Sequence, residues 1–218
     1  YQYGGLARYD RQTQERLYIV PHHEKDENNY KWNWNTPLLV SPHNPKRLYY
    51  AAEYLFRSDD RGDSWRKISP DLTRQIDRNK LEVMGRVWSV DAIAKNDSTS
   101  MFGSAIMISE SELQEGLIYV GTDDGVLNIT EDGGQSWVKT TRFSGVPDMT
   151  YIDDVQASLH DKDTVYAVME NHKRGDQKPY VLKSTNKGKT WKSIAGNLPE
   201  RGFAHSIAED HVDPNLLF

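Results

Sequence analysis

The sequence predicts an all-β fold built from repeated units of short antiparallel strands. Most apolar residues lie in short runs rich in Val, Ile, Leu, Tyr and Trp, separated by clusters of Asp, Asn, Gly and Pro. Such runs are typical of short strands joined by tight turns. No long segment has helical periodicity, and the most helix-like piece, residues 70–84, fits about one or two helical turns within a connection.

One octapeptide motif occurs three times and predicts the architecture. It combines a hydroxyl residue, an Asp or Asn two positions later, a Gly, and a Ser or Thr directly before a Trp. The copies are SDDRGDSW at 58–65, TEDGGQSW at 130–137 and STNKGKTW at 184–191. Repetition at this scale indicates a protein built from similar structural units.

A second shared element precedes each copy, namely a polar turn followed by an apolar pair that ends in an aromatic residue. The anchors are Tyr50, Tyr119, Tyr166 and, at the end of the chain, Phe218. Their separation of roughly 50 to 70 residues is expected for four-stranded β-propeller blades that carry loop insertions. The sequence therefore predicts a β-propeller of four-stranded antiparallel blades.

We expect the chain to be an arc of about three full blades with a partial blade at each end. The predicted divisions are 1–35 for the end of one blade, 36–85, 86–142 and 143–200 for full blades, and 201–218 for the start of the next. Strands of the first full blade are expected near 37–41, 47–52, 54–58 and 64–69. Because the chain stops inside an expected strand, we also expect a longer parent whose remaining blades pack against this part.

The repeated motif is interpreted as a turn between the last two strands of each blade. Its hydroxyl and its Asp or Asn oxygen can accept hydrogen bonds from backbone N–H groups, and its Gly allows a positive φ. The Trp can bury its ring between neighbouring sheets. The structural positions are Ser58, Asp60, Gly62 and Trp65; Thr130, Asp132, Gly134 and Trp137; and Ser184, Asn186, Gly188 and Trp191.

A calcium site or an acid/base pair is the alternative interpretation of the same motif. Asp59 with Asp60 and Glu131 with Asp132 would supply the charges. Adjacent residues on a strand point to opposite faces, which opposes convergence on one ligand. The third copy has Asn186 and no acid in the loop, as a structural turn tolerates and a charge-based role does not.

The three copies resemble the Asp-box, or BNR repeat, of sialidases, sortilin (VPS10) proteins and family 74 xyloglucanases, although Asn186 departs from that pattern. The surrounding sequence, including RLYYAAEYLFRSDDRGDSWRKISPDL and LIYVGTDDGVLNITEDGG, is similar to large bacterial WD40/YVTN/BNR-like, sortilin-like proteins that are often labelled glycosyl hydrolases. The resemblance covers nearly the whole chain. It implies a propeller, a secreted or bacterial envelope location, and Asp-boxes at the periphery, away from the ligand face.

Composition excludes several other functions. The 27 basic and 32 acidic residues are scattered and give a formal charge of −5, which argues against a nucleic-acid partner. Cysteine is absent, so disulfides, thiolate zinc sites and a cysteine nucleophile are excluded. No apolar run approaches the roughly 20 residues needed to span a bilayer, and we expect no membrane insertion and no cofactor.

The segments that enter the first strand of each blade are the predicted ligand face, because inner strands converge on the propeller axis. They hold aromatic rings and a few charges, a mixture that suits a glycan, a peptide or a protein surface. The candidate ligand-binding residues are Trp32, Trp34, Arg86, Trp88, Tyr151 and His205. Asp153 and Asp154 are weak catalytic candidates, because an inverting glycosidase needs two carboxylates about 6.5–9.5 Å apart.

Two other groups of residues lack the patterns expected of a sialidase arginine cluster and of a metal site. Arg86, Arg142 and Arg201 could imitate the arginine cluster of a sialidase, but no FRIP-like motif accompanies them. The neighbouring residues His22, His23 and Glu24 lack the spacing of a metal site, so no metal is predicted. The predicted function is a sortilin-like interaction module. The alternatives are a xyloglucanase- or sialidase-like hydrolase completed by other blades, and a structural role in an envelope assembly.

Overall fold

The computed structural model describes residues 1–95, 97 and 101–218, and it consists mainly of four antiparallel sheets. Sheet I contains β1 (Ala7–Tyr9) and β2 (Arg16–Tyr18). Sheet II contains β3 (Leu38–Val40), β4 (Leu48–Ala51), β5 (Leu55–Ser58) and β6 (Arg66–Lys67). Sheet III contains β7 (Ala105–Glu110), β8 (Ile118–Thr122), β9 (Leu127–Thr130) and β10 (Val138–Thr140). Sheet IV contains β11 (Tyr151–Ala157), β12 (Val165–Asn171), β13 (Asp176–Ser184) and β14 (Lys192–Ser193).

In sheets II, III and IV each strand pairs with the next strand along the chain, and every pairing is antiparallel. Successive four-stranded meanders are the blades of a propeller. The predicted all-β fold of four-stranded antiparallel sheets is therefore confirmed, whereas the blade boundaries proposed above remain a prediction. Glu209 and Leu217 add an isolated antiparallel bridge beyond sheet IV.

Within the described part of the chain, helical structure is limited to two short 3-10 segments, Arg78–Lys80 and His172–Arg174. The first lies within residues 70–84, the most helix-like piece of the sequence, and the second lies in the insertion between β12 and β13. Among the described residues, no helix has the length and apolar character needed to cross a bilayer.

The core lies between adjacent sheets rather than within one of them. All residues of β8, β9 and β12 are buried. Tyr119 and Leu127 of sheet III belong to the same apolar cluster as Ile152 and Val155 of sheet IV. At Gly121 the two sheets approach so closely that a β-carbon would lie 2.6 Å from a methyl carbon of Ile152. Each sheet therefore depends on its neighbour for burial of its apolar face.

The three octapeptide motifs fold into turns with the same hydrogen bonds, and we call them the motif turns (58–65, 130–137 and 184–191). In the first, the hydroxyl of Ser58 accepts from the N–H of Gly62 at 2.7 Å, and the Asp60 carboxylate accepts from the N–H of Ser64 at 2.9 Å. The equivalent bonds run from Gly134 to Thr130 and from Ser136 to Asp132, at 2.9 Å each. In the third turn they run from Gly188 to Ser184 at 2.8 Å and from Thr190 to Asn186 at 2.9 Å.

Each motif turn also contacts a preceding sheet. Gly134 has a φ of +102°, and a β-carbon there would lie 2.5 Å from the carbonyl oxygen of Ile68, the residue that directly follows β6 of sheet II. The indole of Trp137 donates to that same carbonyl at 3.1 Å, and the indole of Trp65 donates to the carbonyl of Ile19 at 2.6 Å. Trp191 differs, because its indole donates to the carbonyl of Gly188 within its own turn.

The three tryptophans directly precede the last strands of their sheets, and their side chains are half-buried, whereas the sequence predicts rings buried between neighbouring sheets. One aromatic anchor also shifts by a residue. Tyr49, rather than Tyr50, is the equivalent of Tyr119 and Tyr166, because each is the second residue of its strand. The hydroxyl of Tyr49 reaches the next sheet, where it donates to Glu110. Tyr50 points to the opposite side and packs near Leu6 and Ile19.

Candidate functional site: an inner cleft and an acid–histidine cluster

The alternating strand directions divide the loops between two faces of the arc. On the turn face lie the turns after the first and third strands of each sheet, including the motif turns. On the cleft face lie the segments that enter each first strand and the loops between second and third strands. Backbone bonds hold the turn face together, and they join Arg61 to Lys46, Gly133 to Gly116, and Lys187 to Asp163 at 2.7–3.0 Å.

A cleft of about 580 Å³ opens on the cleft face, and we call it the inner cleft. Segments preceding β3, β7 and β11 contribute to it, together with the loops that follow β8 and β12. It therefore collects side chains from three successive sheets. The lining residues are Asn33, Trp34, Asn35, Phe102, Asp123, Met149, Tyr151, Glu170, Asn171, Lys173 and Arg174.

Two aromatic rings form walls of the inner cleft. Trp34 is 44% exposed, and its ring makes an edge contact with Tyr3 at 4.9 Å between centroids. Tyr151 is half-buried, and the ammonium of Lys173 lies 4.6 Å from the centre of its ring. Burial, with the nearby charge of Asp153 as a smaller cause, raises the pKa of Tyr151, so its hydroxyl stays protonated.

Asp123 forms part of the floor and ties together the segments around it. Its carboxylate accepts from the N–H groups of Gly103 at 3.0 Å and Ser104 at 2.8 Å. The side-chain amide of Asn33 donates to the hydroxyl of Ser104 at 3.0 Å, which joins the entry of β3 to the same network. Burial outweighs these hydrogen bonds and raises the pKa of Asp123 to about 7.

A second group of side chains adjoins the inner cleft, and we call Asp153, Glu170, His172 and His205 the acid–histidine cluster. Nδ1 of His205 lies 2.5 Å from a carboxylate oxygen of Asp153 and 3.7 Å from one of Glu170. Nδ1 of His172 lies 2.5 Å from the same oxygen of Glu170. Glu170 is 4% exposed and also lines the inner cleft, so cluster and cleft are continuous.

The structure brings together some of the predicted ligand-binding residues. Trp34 and Tyr151 line the inner cleft, and His205 lies beside it in the acid–histidine cluster with Asp153. Asp154, the neighbour of Asp153, points the other way, and its carboxylate accepts from the N–H of Ile207 at 3.0 Å. The register shift between Ile152 and Asp154 accompanies this divergence, so the two aspartates cannot act as one pair.

Three other predicted residues lie away from the cleft lining. Trp32 packs in an aromatic cluster, with centroid distances of 5.0 Å to Tyr50 and 5.9 Å to Tyr30. Arg86 stacks on the ring of Trp88 at 3.4 Å, in a loop whose residues 96 and 98–100 lie outside the described part. The side chains of these three residues therefore contact other parts of the chain and do not line the inner cleft.

Sequence reasoning missed Asp123, Glu170 and His172. Asp123 lies in the short turn between β8 and β9, and Glu170 follows the apolar run VYAVM. A charged residue within so buried a strand was the available signal, because buried carboxylates require partners. Among the described residues, Asp153, Glu170 and His205 place possible ligand atoms within 4.8 Å of one another, and the expectation of no metal site stays a prediction.

No protein-family model and no curated protein matches the chain. Solved structures do match it. An ancestral GH74 enzyme matches over 97% of this chain and 25% of its own length, with 14% identity and a TM-score of 0.62. A mutant NanB sialidase from Streptococcus pneumoniae matches over 92% of this chain and 30% of its own, with 18% identity and a TM-score of 0.51. YCF48 from Cyanidioschyzon merolae matches over 73% and 37%, with 13% identity and a TM-score of 0.45.

At such identities the first two likenesses establish the fold alone. They agree with the sheet order above, and the chain has a propeller-type fold. The chain spans about a quarter of the length of the GH74 enzyme.

Proposed function

We propose that the chain is a ligand-binding part of a β-propeller, with the inner cleft as its binding site and a glycan as the ligand it fits best. The observation that carries the proposal is the presence of Trp34 and Tyr151 in one cleft with the polar groups of Asp123, Glu170 and Asn171. Aromatic faces stack on the C–H faces of sugar rings, and carboxylates and amides bond their hydroxyls.

A second candidate function is glycoside hydrolysis at the same cleft. The observation that favours it is Asp123, whose pKa of about 7 leaves it substantially protonated at neutral pH in the cleft that Glu170 also lines. Glycosidases combine a carboxylic acid that protonates the leaving oxygen with a carboxylate that acts as base or nucleophile. We also propose that the protein lies outside the cell or in the bacterial envelope.

The proposal is tested by titrating the full-length protein with soluble neutral and acidic oligosaccharides, and with an extended peptide, under calorimetry. We expect Trp34→Ala and Tyr151→Ala to weaken glycan binding roughly 10-fold, as expected for loss of a good aromatic contact. Trp88→Ala is the matched control, because this ring lies outside the cleft lining and its removal should leave affinity unchanged. Asp60→Ala and Asp132→Ala should lower stability on the turn face without changing affinity.

The outcomes separate the candidates. Peptide binding that depends on Trp34 and Tyr151, without glycan binding, would make the cleft a peptide site. Release of reducing ends that disappears in Asp123→Asn and Glu170→Gln would establish hydrolysis. Affinity lost in a folded Asp60→Ala variant, and retained in Trp34→Ala, would move the binding site to the motif turns and contradict the proposal.

A further inference from the structure

We propose that the acid–histidine cluster binds a divalent transition-metal cation of the zinc or manganese type. Asp153 and Glu170 would provide carboxylate oxygens, and His205 an imidazole nitrogen, with His172 as an additional ligand or as the group that orients Glu170. This site shares Glu170 with the inner cleft, and its metal binding can be measured without a glycan. It also differs from the neighbouring histidines His22 and His23 considered from sequence alone.

Convergence from separate segments is the first argument. Asp153 lies on β11, Glu170 near the end of β12, and His205 on the segment that follows sheet IV. Possible ligand atoms of all three lie within 4.8 Å of one another, so small side-chain movements could place them around a single ion. Metal–oxygen and metal–nitrogen bonds of about 2.0–2.2 Å require ligand atoms roughly 3 to 3.5 Å apart.

The burial of Glu170 is the second argument. Its side chain is 4% exposed, and the ion-pair partners within 4.0 Å among the described residues are the imidazoles of His172 and His205, with no Lys or Arg. A buried carboxylate is costly unless a cation compensates it. A metal ion would compensate both Glu170 and Asp153, and the imidazoles would then bind in their neutral form.

The rings around the cluster hold the imidazoles in place. Phe203 stacks on His172 at 4.6 Å between centroids with an interplanar angle of 21°. The same ring meets His205 edge-on at 4.8 Å and 90°. One phenyl group therefore restricts both imidazoles, which lowers the conformational entropy that ligand ordering would cost.

The donor set selects the class of cation. Calcium and magnesium prefer sites made entirely of oxygen ligands, whereas imidazole suits zinc, copper, iron and nickel, and carboxylates suit manganese. Two carboxylates with one or two imidazoles combine ligand types that bind zinc and manganese, and a catalytic zinc site with three protein ligands keeps a fourth position open for water or a ligand. The adjacency of Glu170 to the inner cleft would place such an open position next to a bound molecule.

The alternative is that the cluster forms only two carboxylate–imidazole ion pairs, His205 with Asp153 and His172 with Glu170. To decide, the full-length protein is freed of metal with a chelator and titrated with ZnCl₂ and MnCl₂ by calorimetry, without any glycan. CoCl₂ provides a spectroscopic readout, because its visible absorption reports ligands in its first shell. Thermal melts with and without metal verify that each variant is folded.

We expect one ion per chain, a raised melting temperature, and affinity at least about 10-fold weaker in Glu170→Gln and His205→Asn. His22→Asn combined with His23→Asn is the matched control and should bind as the parent does. Should Glu170→Gln fail to fold, His205→Asn decides, because its side chain is 63% exposed. The proposal is overturned when the folded parent binds none of the three cations, when both cluster variants bind normally, or when the control variant loses binding.

Discussion

The hydroxyl of Tyr166 donates to the buried carboxylate of Glu209 at 2.9 Å, across the gap between sheet IV and the bridge strand beyond it. The same carboxylate accepts from the hydroxyl of Ser158 at 2.9 Å. One sheet earlier, Tyr49 and Ser41 of sheet II bond Glu110 of sheet III at 3.2 and 2.6 Å. A buried glutamate on an inner strand thus receives a tyrosine and a serine from the preceding sheet at two junctions.

The junction between sheets III and IV lacks this link. Ala157 occupies the position on β11 that corresponds to Glu110 on β7, directly before the serine that follows each inner strand. Among the residues that the structure describes, the buried hydroxyl of Tyr119 consequently has no hydrogen-bond partner. One tyrosine position therefore occurs in two environments, which permits a matched comparison.

Tyr166→Phe should destabilise the protein by about 1–2 kcal/mol, because a hydrogen bond to a carboxylate is lost. Tyr119→Phe should be neutral or slightly stabilising, because it removes a polar group that has no partner. Denaturant titration of both variants beside the parent measures the difference. A Tyr119→Phe loss as large as that of Tyr166→Phe would show that an unseen partner satisfies the Tyr119 hydroxyl.

Acid should weaken the first two motif turns more than the third. The hydroxyl and the N–H of Ser64 hold the pKa of Asp60 at about 2, and those of Ser136 lower the pKa of Asp132 in the same way. A lowered pKa means that the stabilisation is present at neutral pH and is lost as the pH falls from about 4 through about 2. Asn186 does not titrate in this range.

Asp60→Asn and Asp132→Asn should therefore flatten the acid limb of the stability curve, measured by thermal melts between pH 2 and 7. The reverse change, Asn186→Asp, should steepen it. If the stability of all three variants falls with acid as steeply as that of the parent protein, the turn carboxylates do not contribute to the pH dependence.

Asp123 should contribute with the opposite sign. Burial raises its pKa to about 7, so the folded state binds the proton more tightly than the unfolded chain. The stability that follows is complete below about pH 4 and is lost as the pH rises through about 7. Asp123→Asn keeps an acceptor oxygen for Gly103 and Ser104, and it should remove this loss. Parallel stability curves for variant and parent across that range would contradict the assignment.

Adjacent glycines of the second motif turn should differ in their tolerance of substitution. Gly133 and Gly134 both have positive φ, +70° and +102°, so alanine strains either position. A β-carbon at Gly133 meets no atom within 4 Å, whereas one at Gly134 would lie 2.5 Å from the carbonyl oxygen of Ile68. In a denaturant titration, Gly134→Ala should lower the free energy of unfolding by at least about 1–2 kcal/mol more than Gly133→Ala does. Equal costs would indicate that the turn can move away from sheet II.

The parts of the fold that depend on local chemistry were predictable from sequence. In each motif turn the hydroxyl and the Asp or Asn side chain form hydrogen bonds with backbone N–H groups of the same octapeptide. The turn can therefore be predicted from this local sequence alone. The all-β fold followed from strand-length apolar runs for the same reason. The shift from Tyr50 to Tyr49 shows the limit, because either tyrosine satisfies the local pattern and only the position of Glu110 on the next sheet distinguishes them.

The candidate site was only partly predictable because it forms between segments distant in sequence. Trp34 and Tyr151 were found from their positions before inner strands. Trp32 and Trp34 are two positions apart, which in a strand places both side chains on one face. Residues 33–36 instead form a turn in which the hydroxyl of Thr36 donates to the carbonyl of Asn33. Glu170 and His205 are 35 positions apart, and no local pattern reports their contact.

The separation of motif turns and inner cleft onto opposite faces has a consequence for how such proteins can be altered. Residues that hold the sheets together at the turn face are not those that line the cleft, so the loops entering β3, β7 and β11 can vary in length and composition while the turns stay the same. The long connection between β6 and β7 shows that one of these loops already tolerates a large insertion. Ligand specificity could therefore be transferred from one blade to another by grafting the loops that enter the first strands.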